Sequence, residues 1–223
     1  MRQPHASLRG TLRDRTEAGC LLAEKLSDFA DRSDVIVLGL PRGGVPVAAE
    51  IAKALGAPLD VCLVRKLGVP GNEELAMGAI GLGGTMVLND RLIQSLKVSE
   101  TAIAQTITRE IRELARRDLV YRGERPFPEI RDRTVILVDD GIATGSTVAA
   151  AMSSLQGREP TAIIVAAPVI PPDAIAQLQE RANRVVSLLQ PDPFHFLGYW
   201  YGDFSPTSDE EVCALLAQSP AVG

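Results

Sequence analysis

Aromatic side chains make up only 4% of the 223 residues, and six of the nine rings lie between positions 194 and 204. A chain so poor in rings elsewhere must build its core from Ala, Val, Leu and Ile, within a hydrophobic content of 46%. That composition suits a parallel sheet covered by helices on both faces. A basic excess is also missing. The net charge of −5 argues against bulk nucleic-acid binding, which needs a cationic face, but leaves room for a local basic pocket. The three cysteines, Cys20, Cys62 and Cys213, have no CxxC or Cys/His spacing, so packing rather than metal binding is expected of them. No apolar run approaches about 18 residues, and no leader-type segment opens the chain, so a cytoplasmic protein without a membrane span is expected. The length suits one α/β domain over 1–223.

What the chain does have is concentrated at 135–147, VILVDDGIATGST. Four apolar residues run into the adjacent carboxylates Asp139 and Asp140, and a turn of small residues then opens an Ala-rich helix. A buried strand ending in acids, followed by a glycine-containing helix N-terminus, can hold a sugar phosphate. Backbone N–H groups and the helix dipole favour the phosphate, while the carboxylates favour hydroxyls or a hydrated cation.

The same strand–loop–helix logic appears at 35–55. An apolar run over 35–40 leads into Pro41-Arg42-Gly43-Gly44 and a helix over 45–55 stopped at Gly56. The stretch 59–64, after the turn residues Ala57-Pro58, is read as the next strand, ending in Arg65-Lys66, two cations suited to a polyanion. The stretch 68–90 is rich in glycine and polar punctuation, with short strands expected at 75–80 and 85–88. Helices follow at 89–96 and at 99–121, the latter with Ile103, Ile107, Ile111 and Leu114 on one stripe. Beyond the acidic loop, strands at 161–167 and 185–189 flank a helix at 173–182. An earlier helix spans 14–29, its Asp14-Arg15 start read as a cap and a surface ion pair. Strands without polar alternation, separated by helices, predict a doubly wound, mostly parallel sheet flanked by helices. Ligands of such sheets bind beyond the carboxyl ends of the strands, where all three loops lie.

Residues 135–147 resemble the phosphoribosyl-pyrophosphate (PRPP) signature of type I phosphoribosyltransferases: a hydrophobic run, two acids, small residues, then Thr-Gly-x-Thr. As a whole the chain resembles a bacterial subgroup of predicted phosphoribosyltransferases, and the resemblance implies a small hood or flexible-loop subdomain, with a mobile loop and hairpin over 68–90 that closes on bound ligand. The resemblance implies that Ala143, Thr144, Gly145, Ser146 and Thr147 hold a 5′-phosphate, and that Arg42, Gly43, Gly44, Arg65 and Lys66 hold pyrophosphate. Asp139, Asp140, Arg65 and Lys66 are the implied catalytic group. It further implies a strained cis peptide at Pro41–Arg42, and Mg²⁺ held through PRPP and waters near the acids rather than by direct protein ligands. The partners implied are PRPP and a small nitrogenous acceptor, with no nucleic acid or membrane partner, in a homodimer. Ala143 and Ser146 stand where 6-oxopurine-type members carry Asp and Lys, which argues against hypoxanthine or guanine. Gly141 departs from the family's usual aliphatic residue.

The tail, 191–223, carries the aromatic cluster and is a candidate hood or base-side lid. Phe196, Tyr199, Trp200 and Asp203 are possible base contacts, with a lid packed on the core or a dimer face as the alternative. Glu73 and Glu74 are possible loop contacts to substrate, and His195 alone is weak evidence for a general base. Two functions are open: Mg²⁺-dependent transfer of phosphoribosyl from PRPP to a nitrogen acceptor, or non-catalytic PRPP binding by a regulator or sensor.

Overall fold

The computed structural model describes residues 12–81 and 85–219. The chain begins with helix α1 (Arg15–Lys25), strand β1 (Val35–Gly39), helix α2 (Gly44–Leu55) and strand β2 (Leu59–Val61). Strands β3 (Val64–Val69), β4 (Asn72–Gly81) and β5 (Met86–Leu88) follow, then helices α3 (Asp90–Ser95) and α4 (Glu100–Arg122). The second half alternates β6 (Thr134–Val138), α5 (Ser146–Gln156), β7 (Ala162–Ala166), α6 (Pro172–Gln179) and β8 (Arg184–Val186), and ends in α7 (Asp209–Ala217).

Five strands form a parallel sheet in the order β2-β1-β6-β7-β8. The apolar runs do not alternate because both faces are covered. Val35 and Val37 of β1 and Ile136 and Val138 of β6 pack in one core cluster with residues of α1, α2 and α7. Ile36, Leu38, Val135 and Leu137 pack in the other with residues of α5 and α6. Successive side chains of a strand point to opposite faces, so a strand buried on both sides must be apolar at every position. The expected doubly wound sheet is therefore observed. From β1 the chain builds outward to β2, then returns on the other side of β1 with β6. The switch point between β1 and β6 opens a crevice at their carboxyl ends.

A second, antiparallel sheet has the order β3-β4-β5. It corrects the expected strand over 59–64. The ladder to β1 runs only from Leu59 to Val61, and Val64 pairs with Gly81 of β4 instead. Arg65 and Lys66 therefore lie early in a hairpin strand rather than at the end of a sheet strand. Behind this junction Arg122, fully buried, donates Nε to Asp60 at 2.9 Å and also bonds the Val61 carbonyl. Burial pushes the Asp60 carboxyl up, against the pull of Arg122.

Local caps follow the sequence. Asp14, Asn89, Ser99 and Ser208 accept from N–H groups in the first turns of α1, α3, α4 and α7, and Gly56 closes α2 in the left-handed conformation at φ 64°. On α4, Leu114 is buried and Ile103 and Ile107 pack on the core, whereas Ile111 is 46% exposed. The apolar stripe is one residue narrower than expected. No helix among the described residues is long and apolar enough to cross a membrane.

Candidate active site at the switch point

Asp139 and Asp140 follow β6 directly, and the Pro41–Gly44 loop follows β1 by one residue. The two loops touch. Leu40 N–H donates to the Val138 carbonyl at 2.8 Å. A Cβ on Gly44 would lie 2.7 Å from that carbonyl and 2.9 Å from Asp139 Cα, and a Cβ on Gly43 would overlap the Asp140 carboxylate. The glycine pair is thus required by close approach of one loop to the other. The Pro41–Arg42 peptide is cis, as the resemblance implied. Arg42 itself is exposed. The N–H groups of Gly44 and Val45 are already taken by the carbonyls of Leu40 and Arg42, so this loop offers fewer backbone donors than expected.

The acid pair is asymmetric. Asp139 Oδ1 accepts from Asp140 N–H at 2.9 Å. Burial, and the negative charge of Asp140 beside it, push the Asp139 carboxyl well above the usual range. Asp140 instead faces a cation: Arg15 places Nη2 at 2.8 Å and Nε at 2.9 Å from Oδ2. Arg15 also donates to the Ser205 carbonyl at 2.7 Å and lies 4.1 Å from the centre of the Phe204 ring. With a side chain only 12% exposed, Arg15 is a component of the site and not the surface partner expected of it. No sequence signal marks it, because its partner is 125 residues away.

The aromatic tail closes over the same loop. Tyr201 donates its hydroxyl to the Asp140 carbonyl at 2.6 Å and stacks on Phe204 at 4.9 Å. Burial first, and the charge of Asp140 second, raise the Tyr201 phenol, keeping it a donor. Leu197 explains Gly141: a Cβ at that position would overlap the Leu197 side chain. The tail therefore fills the volume that an aliphatic residue in the loop would occupy.

Of the possible base contacts, Trp200 is buried with Leu12, Ala18 and Val169, and its indole N–H has no partner among the described residues. Tyr199 and Trp200 line a cavity of about 340 Å³ with Gln190, Asp192 and His195. Phe196 is 66% exposed. Asp203 is committed to its own turn, accepting from Ser205 N–H at 2.9 Å and Oγ at 2.6 Å. Those bonds, both to Oδ1, hold its carboxyl below the usual range.

In the loop after Asp140, Gly145 at φ 74° turns the chain into α5, and Ala143, Thr144, Ser146 and Thr147, the expected phosphate contacts, are exposed around the helix start. The Thr144 and Ser146 hydroxyls lie 3.2 Å apart. Ile142 N–H, tied to the Val169 carbonyl at 2.8 Å, anchors the loop base. Thr147 also borders a second cavity, of about 360 Å³, whose walls include Pro41, Arg65 and Lys66. Four cations and two acids line it, because α4 adds Arg109, Glu110 and Arg117 to Arg65, Lys66 and Glu73. None of the three α4 residues is marked as a site residue by its sequence context. Glu110 Oε2 accepts from Arg65 at 2.7 Å and Oε1 from Arg109 at 2.9 Å. Burial works against ionisation of Glu110, but the bonds from Arg109 and Arg65 outweigh it and lower its pKa. Glu73 approaches Arg109 at 3.7 Å. Glu74 belongs to β4, but its side chain lies outside the described residues.

The model of the phosphoribosyl transferase domain matches residues 16–198. In Mycobacterium tuberculosis, the proteins named "Putative phosphoribosyl transferase Rv0571c" and "Putative phosphoribosyl transferase MT0597" are each 43% identical over 203 residues. These span 91% of this chain but 46% of the relatives, so the chain covers about half their length. The crystal structure of TT1426 from Thermus thermophilus is 42% identical, covers 96% of this chain and all of that one, and superposes with a TM-score of 0.85.

Proposed function

Because the chain belongs to the phosphoribosyl transferase domain family, we propose that it transfers the 5-phosphoribosyl group of PRPP to a nitrogen acceptor and releases pyrophosphate. One observation carries the reading. The acid loop after β6 and the glycine loop after β1 meet at the switch point, and Thr147 and Pro41 of those loops border the cationic cavity of Arg65 and Lys66. A sugar with phosphate at both ends matches that layout.

In this reading the 5′-phosphate lies on Ala143–Thr147 at the α5 N-terminus. The ribose hydroxyls face Asp139 and Asp140, and the pyrophosphate faces Arg65 and Lys66. Asp139 and Asp140 hydrogen-bond the ribose hydroxyls from the end of β6. The cations stabilise charge that grows on the departing pyrophosphate as the C1′–O bond breaks, while the acceptor nitrogen forms the new bond at C1′ and then loses its proton. Mg²⁺ would be held through PRPP oxygens and waters near Asp139 and Asp140, without a direct protein ligand, and would supply charge neutralisation on the leaving group. The 340 Å³ cavity at Tyr199 and Trp200 is the acceptor-side candidate, with a nucleobase other than a 6-oxopurine as the class that Ala143 and Ser146 favour. A cytoplasmic homodimer completes the proposal.

A second reading, non-catalytic PRPP binding, draws on Arg15, which already occupies the Asp140 carboxylate. A pyrophosphate-release assay with PRPP, Mg²⁺ and a panel of nucleobases separates the two. Release with one acceptor supports transfer; PRPP binding without release for any acceptor supports the sensor.

A further inference from the structure

The 360 Å³ cavity holds a feature that the donor reading does not require: a carboxylate shared between two guanidinium groups. Glu110 sits on α4 with its side chain 6% exposed. One oxygen accepts from Arg65 of β3 and the other from Arg109 on the same helix, at 2.7 and 2.9 Å. Neither arginine is buried to the same degree, at 33% and 58% exposed. A buried anion that anchors two more exposed cations fixes where their forks sit and leaves them close together without mutual repulsion.

Resting on the proposed donor, we propose that Glu110 is a positioning residue. It aligns Arg65 and Arg109 as a paired clamp for the pyrophosphate group, and thereby makes Arg109 of α4 a binding residue for that group. Glu73, at 3.7 Å from Arg109 and 73% exposed, stands where an incoming oxyanion would replace it. Glu73 is thus the exchangeable carboxylate and Glu110 the permanent one. The arrangement also ties the β3–β4 hairpin to α4 through the ligand site: Arg65 comes from one strand of the hairpin and Glu73 from the other.

The test is a calorimetric titration of the full chain with inorganic pyrophosphate in the presence of Mg²⁺, and separately with ribose 5-phosphate, which reports on the Thr144–Thr147 loop. Glu110→Gln keeps the shape and removes the charge. It is expected to weaken pyrophosphate roughly tenfold, the scale of one charge-assisted hydrogen bond, and to leave ribose 5-phosphate unchanged. Arg109→Met, at an exposed position, is expected to weaken pyrophosphate by a similar factor. Glu73→Gln should tighten pyrophosphate about twofold by removing its competitor. Glu110→Gln and Arg109→Met that bind pyrophosphate like the wild type overturn the proposal. So does a Glu110→Gln protein that loses both ligands equally, since that is a role in folding alone. Wild-type protein that binds ribose 5-phosphate but not pyrophosphate overturns the clamp and leaves the phosphate loop standing. Binding of neither ligand overturns the clamp together with the donor reading it rests on.

Discussion

The acidic half of the site and the cationic half are built in opposite ways. Asp139, Asp140 and the loop to Thr147 come from one continuous stretch, held from outside by Arg15, Leu197 and Tyr201. Arg65, Lys66, Arg109 and Arg117 come from a hairpin and a helix, brought to one cavity only by the packing of the second sheet against α4. The first half is specified by local sequence and tuned by distant residues. The second exists only in the tertiary structure. A contiguous loop binds through geometry that few substitutions preserve, whereas a dispersed set of cations shares its work and loses it piecemeal.

That contrast predicts unequal responses to substitution. Asp140→Asn removes the negative charge that pairs with Arg15 and, in the proposed reading, faces the sugar. Turnover in the pyrophosphate-release assay is expected to fall by about 10²–10³, on the scale of losing one preorganised transition-state contact. Arg65→Met, by contrast, leaves Lys66 and Arg109 in place and should lower kcat/KM for PRPP only about tenfold. Equal losses for the two variants would erase the distinction between the halves.

The clamp around the acid loop sets stability as well. Arg15→Met leaves the Asp140 carboxylate, 13% exposed, without its cation, and should lower unfolding free energy by about 2 kcal/mol in urea titration. Pairing it with Asp140→Asn should restore part of that loss in a double-mutant cycle. Gly141→Ala forces a methyl into Leu197 and should cost about 1–3 kcal/mol; Leu197→Ala in the same protein should relieve the overlap.

Asp139 adds a pH signature. Its carboxyl is raised in the folded protein, so the folded state binds the proton more tightly than the unfolded chain does. Its contribution to stability is fully present below the ordinary carboxylate pKa of about 3.9 and is lost as pH rises through the raised folded value. Over that window Asp139→Asn should flatten the fall in stability relative to the wild type, measured as Tm against pH.

The sheet was legible because strands buried on both faces carry unbroken apolar runs, and the loop at 139–147 was legible because its chemistry is contiguous. The start of the hairpin was not. Apart from Asp60 the residues from Leu59 through Val64 are all apolar, while the change of ladder partner from β1 to Gly81 leaves no mark in the residues themselves. Arg15 and Glu110 were invisible for a related reason: each reads as an ordinary helical charge until the fold supplies Asp140 or Arg65. Trp200 and Tyr201 were recognised as a cluster, but their assignment to a lid packed on the core depends on Leu12, Ala18 and the Asp140 carbonyl. Gly141, a departure in the sequence, makes physical sense only beside Leu197.

Everything turns on whether the two halves hold the two ends of one molecule. Calorimetry with Mg²⁺ and three ligands, PRPP, ribose 5-phosphate and pyrophosphate, measures this directly. The prediction is that PRPP binds at least about tenfold more tightly than either fragment, because joining the ends makes the second contact intramolecular. PRPP binding no tighter than ribose 5-phosphate would mean that the cationic cavity does not face the sugar held by the acid loop.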